Sequence, residues 1–110
     1  MNVAAITPEA RGTTLLTLSG MYSLMTDAQR AGRACPWCNT PVTTETGIDL
    51  GERRLDRAGD VIHPVACRRC TNWNACQEYA QHCRTCTVCL YAEPCTPKML
   101  LRRLALETRR

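Results

Sequence analysis

Between residues 13 and 30, apolar side chains recur at Leu15, Leu18, Tyr22 and Met25. That 3-4-3 spacing predicts one face of a helix, packed on the rest of the chain or on a second subunit. Gly20 and the interspersed threonines and serines weaken the helix and leave a flexible arm as the alternative. Residues 1–12 show no periodicity and read as a weakly held lead.

Alternation takes over further on. After residues 42–45 and a turn signal at Gly47, Ile48 and Leu50 alternate with Asp49, and Glu52 follows. A second turn at residues 58–60 precedes Val61 and Ile62, so a β-hairpin pairing residues 48–55 with residues 61–66 is predicted. Residues 71–82 lack Gly and Pro and predict a helix of about three turns, with Trp73, Cys76, Ala80 and Cys83 on one face. The tail opens with Thr96 as an N-cap and Pro97 at the first helical position. Leu100, Leu101 and Leu104 then form an apolar stripe, with Arg102, Arg103 and Arg110 away from it. The organisation expected is an N-terminal arm or helix over 1–33, a two-site metal-binding domain over 34–96, and a basic amphipathic C-terminal helix over 97–110.

Composition changes this picture in one respect. The 110 residues are 45% hydrophobic, but that share includes nine cysteines, phenylalanine is absent, and aromatic residues make up 5%. Chains this small with so little aromatic mass lean on metals, disulfides or oligomerisation. The cysteines fall mostly in C-x2-C pairs, which is ligand spacing, and their odd number would leave one unpaired in an oxidised protein. Residues 1–20 carry no secretory pattern and no apolar run reaches the length of a membrane span. The expectation is a reduced, cytoplasmic protein without a membrane association.

The first candidate metal site is Cys35, Cys38, Cys67 and Cys70. Two C-x2-C pairs brought together by a hairpin supply four tetrahedral thiolates for Zn2+. Pro36 suits the tight knuckle, and Cys70 at a helix start meets amides that favour a thiolate. A redox-active Cys-Pro-Trp-Cys is the competitor and lacks a βαβ context. His63, before Pro64, reads as a surface residue. The second site takes Cys86, Cys89 and Cys95, with His82 as the fourth ligand and Cys83 as the alternative. Cys76 is the least suited, and a free cysteine on an apolar face behaves as a small hydrophobe. The fold class expected is a small metal-stabilised α+β domain with a β-hairpin, helices and two Zn2+.

Knuckle, hairpin and a helix-borne second pair resemble the treble-clef arrangement of zinc ribbons. With His82, Cys86, Cys89, Cys95 and the closing Leu/Arg helix, residues 34–110 resemble small actinobacterial zinc-finger proteins, mostly of uncharacterised function. That resemblance implies metal binding and no particular activity. Cys86, Cys89 and Cys95 are also similar to the C-x2-C-x5-C of WhiB-like regulators. This second resemblance implies a [4Fe-4S] cluster, with Cys70 as a distant fourth ligand, and contact with a sigma factor. The Gly- and Trp-containing turn that follows in that family is absent here.

Charge points to partners. Fourteen Lys and Arg stand against ten Asp and Glu, a net +4, and Arg102, Arg103, Arg109 and Arg110 crowd the end against Glu107. With Arg68 and Arg69 between two ligands, and Arg53, Arg54 and Arg57 on the hairpin, these residues suit a phosphate backbone. Nucleic acid, DNA foremost, or the transcription machinery is the expected partner. The competing view makes these arginines solvated or ion-paired with Glu52, Asp56 and Glu107, and makes the protein an interaction adaptor or homodimer held by its apolar stripes. No H-E-x-x-H, Gly-rich phosphate loop or nucleophile motif is present, so an enzyme is not expected.

Overall fold

The computed structural model describes residues 11–18, 24–54, 61–90 and 95–109, with the backbone alone for Cys89 and Leu90. A 3-10 turn spans Thr13–Leu15, followed by a one-turn helix α1, Asp27–Arg30. Four short strands come next: β1 (Gly47–Asp49), β2 (Arg53–Arg54), β3 (Val61–Ile62) and β4 (Val65–Cys67). The chain ends in helices α2 (Arg68–Thr85), α3 (Thr87–Leu90) and α4 (Thr96–Glu107). This is a small α+β fold.

The strands form two antiparallel pairs, β1 with β4 and β2 with β3, and Ile48 faces Ala66 while Arg53 faces Ile62. Three residues on the first strand separate Asp49 from Arg53, against two between Ile62 and Val65 on the second. The extra residue is a β-bulge, and Gly51 takes it up at φ 84. Pro64 has no N–H to offer the ladder there, but its carbonyl accepts from Leu50 N–H at 2.9 Å. The expected hairpin is therefore present in two registers. Its turn at 58–60 and Arg57 lie outside the described residues.

The turn expected at Gly47 sits earlier. Thr43 Oγ1 accepts from the N–H of Glu45 and of Thr46, at 3.2 and 3.1 Å, a hydroxyl-built turn. Gly47 is instead the first residue of β1, where a Cβ would run into the Val65 side chain and lie 2.8 Å from Thr43 O.

Over residues 13–18 the N-terminal segment corrects the helix expected over 13–30. Beyond the 3-10 turn, Leu16 is already extended, at φ −77 and ψ 132, and Leu16 and Leu18 are both fully buried in the core with Leu50, Leu101 and Leu104. Leu15, on the predicted face, lies at the surface. Tyr22 falls outside the described residues. An extended strip can bury Leu16 and Leu18 on the same side because side chains two apart share a face. Arg53 holds this strip: its guanidinium donates to Leu16 O at 2.7 Å, to Thr13 O at 3.0 Å, and twice to Leu50 O.

α2 runs longer than expected, for 18 residues, and its phase differs. Thr71 and Ala75 are buried, whereas Trp73 and Cys76 are exposed. Ligands explain the shift: Cys67 caps the helix, so the positions at its start are oriented by the thiol cluster before apolar preference can act. α4 packs against α2 in antiparallel fashion, with Leu101 and Leu104 buried. Asn72 Nδ2 donates to Ala105 O at 2.7 Å and to Thr108 Oγ1 at 3.3 Å, fixing the crossing. Among the described residues no helix is long and apolar enough to cross a membrane.

Candidate metal centres

The thiol sulfurs of Cys35, Cys38, Cys67 and Cys70 lie within 4.8 Å of one another. Each pair is presented by a different device. In the first, Cys35 N–H donates to Thr40 O and Asn39 N–H donates to Cys35 O, both at 2.8 Å. The knuckle closes through Asn39 at φ 63, a left-handed conformation that asparagine tolerates better than most residues. In the second, Cys67 sits at the N-cap of α2 and its Sγ accepts from Cys70 N–H at 3.4 Å.

The donor set fits an ion. Tetrahedral thiolates at about 2.3 Å from a metal stand about 3.8 Å apart, and Cys38 Sγ lies 3.7 Å from Cys67 Sγ. That separation is far longer than the roughly 2 Å of a disulfide. All eight cysteines whose side chains are described are free thiols.

Electrostatics divide the four. Burial pushes the Cys35 and Cys70 thiols up, because a thiolate loses hydration there. Exposed Cys38 is drawn down to about 6, chiefly by its contact with the Thr40 hydroxyl, 3.0 Å away. Four thiolates cannot coexist at this distance without a cation between them. Arg68 and Arg69 lie between the second pair of ligands, and both are exposed.

A side chain outside the ligand set supports the knuckle. Gln29 is buried, and its Nε2 donates to Cys35 O at 3.0 Å and to Pro36 O at 3.3 Å. Its Oε1 accepts from Thr26 N–H at 2.7 Å, while Thr26 Oγ1 accepts from Gln29 N–H at 3.1 Å. This reciprocal capping box locks the amide rotamer. The signal stands in the sequence as Thr26-Asp27-Ala28-Gln29, a T-x-x-Q pattern, but it announces only a helix start.

The second group comprises His82, Cys86 and Cys95, whose ligand atoms also lie within 4.8 Å of one another. His82 comes from the last turn of α2. Cys86 is its C-cap residue, with N–H donating to His82 O at 2.9 Å. Cys95, not Thr96, is the N-cap of α4, and its side chain makes no capping bond. It turns to His82 instead, with Nε2 and Sγ 3.0 Å apart. That is a hydrogen-bond distance, about half an ångström shorter than the edge expected around a tetrahedral ion, so loading would spread the pair. The Cys89 side chain lies outside the described residues. Cys83 is half-buried and Cys76 exposed, and neither belongs to a gathered group. His63 is exposed and likewise apart.

The basic residues meet different fates. Arg68 donates to Glu107 O, and Arg102 and Arg103 are exposed on α4. Arg53 spends its guanidinium on backbone carbonyls, as described above. The Glu107 carboxylate pairs with Arg11 at 3.6 Å and, among the described residues, with no arginine of the tail. Arg110 lies outside the described residues. No protein-family model matches this chain, and neither a curated protein nor a solved structure matches it.

Proposed function

We propose that the protein is a zinc-organised, treble-clef-like module that binds nucleic acid, DNA foremost, as an accessory factor in transcription. The observation that carries this reading is the Cys35, Cys38, Cys67 and Cys70 cluster with two exposed arginines between two of its ligands. A closed four-thiolate site is structural: it has no open position for a substrate, and its binding free energy contributes to folding. By clamping both ends of the Cys67–Cys70 turn, an ion would hold Arg68 and Arg69 in fixed positions, which lowers the cost of ordering them on a phosphate backbone. Arg102 and Arg103 would extend the positive surface along α4.

Zinc is preferred to iron–sulfur because Cys70 is gathered with Cys35, Cys38 and Cys67. A cluster built on Cys86, Cys89 and Cys95 would have to take Cys70 from that set. His82 beside Cys86 and Cys95 supports a second zinc, with Cys89 as its remaining ligand. Elemental analysis of protein purified without oxygen tests the metal: two zinc per chain are expected, and iron with sulfide would move the reading to a cluster. Duplex binding that falls log-linearly with salt, and that weakens in Arg102→Glu/Arg103→Glu, tests the partner. Zinc-loaded protein that binds no nucleic acid at low salt would overturn it.

A second reading has its own observation. Met99 and Leu106 on α4 are 63% and 51% exposed, and with Leu100, Arg102 and Arg103 they line one shallow concavity. That face suits a second copy or another protein. Concentration-dependent sedimentation without nucleic-acid affinity would put it first.

A further inference from the structure

Both tryptophans of the chain reach one surface. Trp37 from the knuckle and Trp73 from α2 line, with Arg69, Cys70 and Asn74, a concavity of about 480 Å³ beside the four-thiol cluster. Trp73 is 63% exposed, although few side chains gain more from burial. Trp37 is half-buried and packs against the core, which holds it in place. Asn74 Nδ2 donates to Cys70 O at 2.9 Å, and its Oδ1 has no protein partner among the described residues. Arg69 is exposed, and among the described residues no carboxylate lines the concavity.

We propose that this concavity takes an unpaired nucleobase of a single-stranded nucleic acid, stacked on the tryptophans, with the adjoining phosphate on Arg69. The inference rests on the nucleic-acid reading and specifies which form is bound. Aromatic faces alone would equally suit a cation, but Arg69 repels one and attracts phosphate. Duplex DNA keeps its base faces stacked and shows only edges in its grooves, so a flat aromatic surface gains little from it. A single strand offers a π-face at each nucleotide. The free Asn74 oxygen accepts from a base amino group.

The test uses the zinc-loaded full chain with labelled short single strands and the matching duplex at one salt concentration. The single strand binds more tightly and quenches tryptophan emission. Trp73→Ala weakens single-strand binding by about 5- to 150-fold, the range for losing one base stack, and leaves duplex binding unchanged. Trp73→Phe restores most of the loss, which a merely structural role would not produce. Unchanged single-strand affinity in Trp73→Ala, or a preference for duplex, overturns the base site while the nucleic-acid reading stands. Failure of both forms to bind at low salt overturns both.

Discussion

Gln29 Nε2 donates to the carbonyl of Cys35 at 3.0 Å, so a side chain six residues upstream sets the backbone of the first candidate ligand. Partners behind ligands orient them, and their loss typically lowers metal affinity by about 10- to 100-fold. Gln29→Ala should therefore bind the same number of zinc ions with affinity reduced by about that factor, read by competition with a chromophoric chelator. Wild-type affinity in this variant would show that the knuckle holds itself.

Arg53 joins the N-terminal strip to the hairpin through four hydrogen bonds to three carbonyls. Hydrogen bonds to a charged group are worth about 1.5–3 kcal/mol, and the half-buried carbonyls would be left without partners. Arg53→Ala should lower the unfolding free energy of the zinc-loaded protein by about 2–3 kcal/mol in a denaturant titration. Arg53→Lys should recover little, since one ammonium cannot span three carbonyls. Nucleic-acid affinity should be unaffected in the folded variant, which separates Arg53 from Arg102 and Arg103.

The cluster's acid–base state gives a pH dependence with a definite sign. In the metal-free protein Cys35 and Cys70 are raised and hold their protons at neutral pH, whereas Cys38 has lost most of its own above about 6. Zinc must displace at least those two protons, so affinity rises with pH and falls by at least about 100-fold for each unit of acidification near neutrality. Below about 6 the Cys38 proton joins the competition and the fall steepens. Calorimetry in buffers of different ionisation enthalpy counts the protons, and fewer than two per ion at the first site would contradict the assignment.

Gly47 is required by its neighbours, since a Cβ there would overlap the Val65 side chain and crowd Thr43 O. Gly47→Ala should cost on the order of 1–3 kcal/mol, the usual range for overpacking. It should also loosen the β1–β4 pairing that delivers Cys67, visible as faster amide exchange at Ile48 and Ala66, the pair that exchanges hydrogen bonds across it. Gly47→Ala with wild-type stability would mean that the pairing relaxes without cost.

The hairpin and the two groups of candidate ligands were legible in the sequence because each rests on local spacing: alternation brought Ile48 opposite Ala66, and C-x2-C marks a ligand pair whatever surrounds it. The face of α2 was not legible, because its start is fixed by Cys67 and its end by His82, and apolar periodicity carries no trace of either constraint. Leu15 was misleading and Leu16 was missed for a related reason. The extended strip that buries Leu16 is held by its carbonyl, tied to Arg53 some 37 residues later, and no window short enough to show periodicity spans that distance. Gln29 announces its capping role by pattern, but not the carbonyls that its amide reaches.

α2 carries candidate ligands at both ends, Cys70 in its first turn and His82 in its last, over a rod of roughly 20 Å. The two centres are thus fastened to one strut. An ion seated at one end would stiffen the lever that aims the ligand at the other, and its withdrawal would slacken the far centre. Metal titrated into the apoprotein should then fill the two centres as linked events, and independent filling would show that the helix transmits nothing.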